Sequence, residues 1–346
     1  MSGSDTQDVE MKLPRETTTL YGHGEAERML LQSYQSGRIP HAWLIGGPAS
    51  IGKATLAYRM ARFVLAHPDP AAADVQSAKT LAVEADHPVA RRIAADTQGD
   101  LLVLRRSINP ETGKLYTVIR VEDVRRTVSF FGSTAGEGGW RVCIVDTADE
   151  LQYPQGSNAL LKVLEEPPPH ALFLLVSHSP GRLLATIRSR CRRLFLRPLS
   201  ADDVARAVGD AVGRDANDPD VKAASAAAEG SVARALDLVG DSGLDLRRQI
   251  VDALAQLPRP DPRLLHALGD ALSGNEPRLL ASFVDVVNGW LSQRLADEPQ
   301  DARRMARLAR AWESINHNAR DVDTYNLERK PLVFAVFGAL AEAVRQ

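Results

Sequence analysis

Gly47-Pro48-Ala49-Ser50-Ile51-Gly52-Lys53-Ala54-Thr55 carries the G-x-x-x-x-G-K spacing of a loop that wraps phosphate. Set between a strand and a helix, such a loop points backbone N–H groups inward and adds the partial positive charge of a helix N-terminus. Lys53 can then reach the terminal phosphates. The hydroxyl that should follow the lysine and hold Mg²⁺ is missing, because Ala54 stands there. Thr55 is one residue on, about 100° round a helix, and makes a poor substitute. Asp146, closing the apolar run Val142-Cys143-Ile144-Val145, supplies a carboxylate suited to a metal. Thr147 beside it cannot act as a general base at neutral pH. Two readings of the loop stay open: a degenerate site that takes ATP or ADP, or a turn whose glycines only join strand to helix. Asp146 is likewise a metal carboxylate or a strand-end cap. Neither reading provides for hydrolysis by this chain.

The elements that position these residues follow from apolar patterning. Ala42–Ile45, Leu101–Leu104, Val142–Val145 and Leu172–Val176 read as fully buried strands, each followed by turn residues and a helix-like stretch. That is the pattern of a parallel sheet covered on both faces. Leu56–Leu65 is the expected helix after the phosphate loop. Ser200 is the expected N-cap of an alanine-rich helical zone that runs to about Gly240. Past Asp241-Ser242-Gly243 the chain is again helical, interrupted by Pro258, Pro260 and Pro262 and by Gly274–Pro277. Pro331–Phe337 reads as a strongly apolar helix start. The fold class expected is α/β followed by all-α. Residues 1–13 read as a disordered tail, 14–199 as the α/β domain, 200–243 as a small helical unit and 244–346 as a C-terminal helical domain.

Composition narrows the function classes. The 346 residues carry 42 Lys and Arg against 44 Asp and Glu, a net charge of −2, so the whole molecule has no electrostatic drive toward nucleic acid. No apolar run approaches the length of a membrane span, and the opening residues lack the apolar segment of a secretory signal. Cys143 and Cys191 stand alone, with no CxxC, HExxH or Cys/His cluster, so no zinc site is expected. Sparse cysteine fits a reducing cytoplasm.

The block from Asp146 onward is more specific. Asn158-Ala159-Leu160-Leu161-Lys162-Val163-Leu164-Glu165-Glu166-Pro167-Pro168 ends an amphipathic helix on a proline run, and Ser189-Arg190-Cys191 closes the unit. Both resemble signatures of the bacterial clamp-loader AAA+ family. Gly37–Leu44, Gly139-Trp140-Arg141-Val142 and Arg329-Lys330-Pro331-Leu332 extend the resemblance over nearly the whole chain from about Tyr21. It implies an AAA+ P-loop domain over 14–199, a helical lid over 200–243 and an oligomerising collar over 244–346. Two departures stand out. Ala66–Asp100 contains His67 and His87 but no cysteine, so it cannot build the four-cysteine zinc module common in the family. Ser50 replaces a glycine usual in the loop.

By resemblance, Arg190 is an arginine finger offered in trans, a planar and always charged guanidinium that stabilises the γ-phosphate of a neighbouring subunit's ATP. From spacing alone, Arg188, Arg190, Arg192 and Arg193 also read as a solvated basic turn. Ser177 falls near the family's first sensor position, or is a plain turn former. Arg234 falls one place later than the arginine of the second sensor. With Ala54 and Thr147 both altered, the resemblance implies a non-hydrolysing ring member within the DNA polymerase III holoenzyme, the DNA-directed DNA polymerase. The chain also lacks the long C-terminal extension of tau. Implied partners are the gamma/tau and delta subunits, the sliding clamp and, through the complex, primed DNA. The alternatives are an ATP-hydrolysing gamma/tau-type subunit, a stand-alone P-loop NTPase and a purely structural interaction protein.

Overall fold

A computed structural model describes residues 12–132, 139–239, 241–273, 277–297, 302–325 and 327–345. Residues 1–11 of the expected N-terminal tail and 274–276 of the Gly274–Pro277 interruption lie outside these residues. Contacts divide the chain into two compact units, one of residues 1–216 with 229–232, the other of residues 217–228 with 233–346.

The first unit runs α1 (Gly24–Gln35), β1 (Ala42–Gly46), α2 (Lys53–Ala66), α3 (Ala73–Ser77), α4 (Pro88–Ala94), β2 (Leu101–Leu104) and α5 (Val121–Gly132). It continues with β3 (Arg141–Val145), α6 (Gln155–Glu165), β4 (Ala171–Ser177), α7 (Ala185–Arg190), β5 (Arg192–Phe195) and α8 (Ala201–Val212). The strands form one parallel sheet in the order β2-β3-β4-β1-β5. Every residue of β1, β3 and β4 is buried, as continuous apolar runs require when both faces are covered. Alternation along each strand sorts side chains between two cores. Trp43, Ile45, Val142, Ile144, Leu172 and Leu174 join Leu56, Met60 and Val64 of α2 on one face. Leu44, Cys143, Val145, Phe173 and Leu175 join Val124 of α5 and Leu160 and Leu164 of α6 on the other.

The fifth strand has no counterpart in the sequence reading. Arg192-Arg193-Leu194-Phe195 is an edge strand in which only Leu194 is buried, so its pattern looks like a basic surface turn. It pairs with β1, setting Gly46 opposite Phe195.

The stretch expected to lack zinc is built into the first core through Val75, Leu81, Val89 and Ile93. Glu27 of α1 ties it down: Oε1 accepts from the Leu81 N–H at 2.9 Å and from Arg59 Nε at 2.5 Å, both contacts buried. Gln35 Nε2 donates to the Val75 and Ala78 carbonyls at 2.8 and 3.1 Å. Among the described residues, no group of three His, Cys, Asp or Glu side chains is placed to hold a metal ion. Cys143 and Cys191 are buried free thiols, and burial pushes the Cys191 thiol up to about 12.

The second unit contains α9 (Pro219–Ala227), α10 (Val232–Leu238), α11 (Asp241–Ala255), α12 (Pro262–Leu272), α13 (Pro277–Asp297), α14 (Ala302–Tyr325) and α15 (Arg329–Val344). Its core gathers Ile250, Leu268, Phe283, Val287, Leu291, Leu308, Ile315, Val333, Val336, Phe337 and Leu340. The N-caps are ordinary and local. Ser200 Oγ accepts from the Asp203 N–H at the head of α8, and the Asp218 carboxylate accepts from the N–H groups of Asp220 and Val221. Among the described residues, no helix is long and apolar enough to cross a membrane.

Candidate functional site

The phosphate-type loop leaves the C-terminal end of β1, the edge at which parallel α/β sheets place their ligands. Two glycines are required by geometry. Gly47 has φ +145°, and a Cβ there would lie 2.5 Å from the Leu196 carbonyl oxygen and 3.0 Å from Ile51 Cδ1. Gly52 caps α2 in the left-handed region, φ +94°. Ser50 also takes a positive φ, +57°, where a glycine would be unstrained.

Lys53 opens α2 and is 3% exposed. Its Nζ donates to the Gly47 carbonyl at 2.8 Å and to the Pro48 carbonyl. Burial lowers its pKa to about 8, against the opposing pull of Asp149 and Asp146. Ala54 and Thr55 lie half-buried in the first turn of α2. His23, just before α1, donates from Nε2 to the Ile51 carbonyl at 2.6 Å and so braces the loop from outside.

Asp146 follows β3. Burial raises its carboxyl pKa, with Lys53 and Arg105 opposing the rise. Each of Lys53 and Asp146 thus offsets part of the other's burial cost. Thr147 is buried, with Oγ1 3.5 Å from His178 Nε2. Ser177, fully buried at the end of β4 between β3 and β1, donates its hydroxyl to Asp149 Oδ1 at 2.7 Å. Asp149 also accepts the N–H groups of His178 at 2.5 Å and Ser179 at 3.3 Å. Asp149 was not singled out as a site residue, yet it secures the candidate sensor.

The fold therefore gathers Gly47, Gly52, Lys53, Thr55, Asp146 and Ser177 around the ends of β1, β3 and β4. Position 54 carries no hydroxyl to hold a metal ion and position 147 no carboxylate to serve as a base, while the loop backbone, Lys53 and Asp146 remain where a nucleotide phosphate could meet them.

Arg190 is placed differently, at the end of α7. Its Nη1 donates to the Thr186 carbonyl at 2.9 Å, and its Nη2 donates to Glu165 Oε1, at the end of α6, at 2.7 Å. One third of its side chain, 33%, remains exposed. Arg188 donates to the Gly181 carbonyl at 3.4 Å, while Arg192 and Arg193 are exposed on β5. Arg234, on α10, pairs with Asp285 of α13 at 3.4 Å within the second unit.

Comparison with known proteins adds kinship to this geometry. Residues 22–200, just over half the chain, match the family described as DNA polymerase III, delta subunit. The DNA polymerase III subunit delta' of Pseudomonas aeruginosa is 39% identical over 151 residues, covering 44% of this chain but only 41% of that relative. The DNA polymerase III subunit gamma/tau of Mycobacterium bovis is 28% identical over 342 residues, covering 86% of this chain and 55% of that relative. Among solved structures, a DNA polymerase III gamma subunit-related protein from Thermotoga maritima aligns at 16% identity with a TM-score of 0.42. It covers 91% of this chain and 100% of that chain.

Proposed function

The chain belongs to the family described as DNA polymerase III, delta subunit, and from that premise we propose that it is a delta-prime-type clamp-loader subunit that hydrolyses no ATP itself and offers Arg190 to a neighbour's ATP site. One contrast carries the reading. The chain has neither a hydroxyl at position 54, after the loop lysine, nor a base at position 147, after β3. A guanidinium one-third exposed stands at the end of a short helix, held only by surface contacts. A guanidinium that meets a γ-phosphate as charge develops stabilises the transition state electrostatically, and it asks no chemistry of its owner. In other NTPases such a residue is worth roughly 10³–10⁵ in rate.

In this role nucleotide at the degenerate loop is dispensable. Lys53 finds its partners in the loop's own carbonyls. The proposed partners are gamma/tau and delta subunits and the sliding clamp. Primed DNA would be reached through the assembly, by backbone phosphate contacts without base readout.

The M. bovis match over 86% of the chain favours a second reading, an ATP-hydrolysing gamma/tau-type subunit. Two measurements decide. In a reconstituted clamp loader, Arg190→Ala should leave assembly intact and slow DNA-stimulated hydrolysis at the adjoining site by about 10³-fold or more. The lone chain should show no turnover. Robust turnover by the lone chain establishes the gamma/tau reading, and an ATPase indifferent to Arg190→Ala leaves only a structural role.

A further inference from the structure

Glu165 belongs to the motif that ends α6 and has no part in the nucleotide chemistry above. It nevertheless holds the residue on which the proposed role turns. Its Oε1 accepts from Arg190 Nη2 at 2.7 Å, while Arg190 Nη1 donates back to the Thr186 carbonyl one turn earlier in α7, at 2.9 Å. Each terminal nitrogen of the guanidinium therefore spends an N–H inside the chain, and the side chain folds back along its own helix.

A phosphate engages a guanidinium through two roughly parallel N–H donors, from the two terminal nitrogens or from one of them and Nε. Either pairing draws on a terminal nitrogen that already spends one N–H inside the chain, so the phosphate must compete with the Glu165 carboxylate for the same charged group. Reaching across a subunit boundary also requires the side chain to extend away from Thr186. We propose that Glu165 is a latch, a positioning residue that keeps Arg190 withdrawn until a neighbouring subunit's γ-phosphate competes for the guanidinium. The proposal rests on reading Arg190 as a finger.

The environment suits a latch rather than a lock. The two side chains are 33% and 48% exposed, so water screens the pair. Its loss should change populations only about two- to fivefold. A triphosphate terminus, with more charge and more acceptor oxygens than one carboxylate, can displace it. A fully buried pair would hold the arginine too firmly to be recruited. Glu165 is also covalently placed to do this. It is the last residue of α6, stopped by Pro167 and Pro168, and α6 is anchored through the buried Leu160 and Leu164.

Glu165→Gln keeps the side chain's size and an acceptor oxygen but removes the charge, and at an exposed helix end it should not disturb folding. In the isolated full chain, phenylglyoxal modification of Arg190, read by peptide mass spectrometry, should accelerate about two- to fivefold. The exposed Arg193 serves as an unchanged internal control. In the reconstituted clamp loader, ATP hydrolysis without clamp or DNA should rise by a similar factor, with the fully stimulated rate unaltered.

An unchanged modification rate at Arg190 overturns the latch. So does faster modification accompanied by slower hydrolysis, which would make Glu165 a support for the finger and not a restraint on it. Faster modification in an assembly whose ATPase ignores Arg190→Ala keeps the contact but removes the finger reading, and with it the function given to Glu165.

Discussion

Lys53 has its hydrogen-bond acceptors supplied by its own chain. Its ammonium is buried on the Gly47 and Pro48 carbonyls, and burial lowers its pKa to about 8, from an ordinary value near 10.5. Between those two values the unfolded chain holds a proton that the folded chain has released. Stability therefore rises with pH through that window, and below about pH 8 the cost of burying the charge is fully present. Lys53→Met removes the charge. We expect the stability difference between variant and wild type to move in favour of wild type by about 1–3 kcal/mol from pH 7.5 to 10. Urea unfolding midpoints measured across that range test this, and a difference that stays flat with pH rules it out.

At the scale of elements, the joint between β1 and α2 carries the site. Gly47→Ala would place a Cβ against a backbone oxygen, that of Leu196 just past β5, at a φ that side chains rarely adopt. The expected cost is about 2–4 kcal/mol, measurable as a lowered unfolding midpoint. A neutral result would mean that the loop and the β5 end are not packed this closely. The four strands from β1 to β4 and the helix after the loop were legible in the sequence because fully buried apolar runs have few alternatives. The α/β then all-α class followed from them. The helix begins at Lys53 rather than Leu56, since the glycine before it is already the cap. β5 was hidden because an edge strand buries only Leu194 and displays two arginines. The loop residues Gly47, Gly52 and Lys53 announced themselves by local spacing. His23, Asp149 and Glu165 did not, because their partners lie 28, 28 and 25 residues away and only the folded chain brings them together.

At the scale of the molecule, the chain holds separate hydrophobic cores whose members do not mix. The sheet's two cores draw only on the first unit, and the core of α11 to α15 only on the second. Residues 217–228 and 229–232 fall on opposite sides of the division, so the chain passes from one unit to the other three times. Unfolding cooperativity follows shared burial rather than sequence continuity. Phe173, fully buried in the sheet, and Phe337, 1% exposed on α15, are matched probes, one in each unit. Replacing either with alanine removes a large buried ring and costs about 3–5 kcal/mol in the unit that loses it. For units of this size that lowers a melting temperature by roughly 6–20 °C. Scanning calorimetry should then resolve two transitions, with Phe337→Ala moving one and Phe173→Ala the other. If both substitutions displace a single shared transition by similar amounts, the cores are energetically one, and changes made in the helical unit would be felt in the sheet unit. If they separate, the second unit can be altered while the sheet unit that carries Arg190, Glu165 and the phosphate-type loop keeps its stability, and the contributions of the two units become separable by mutation.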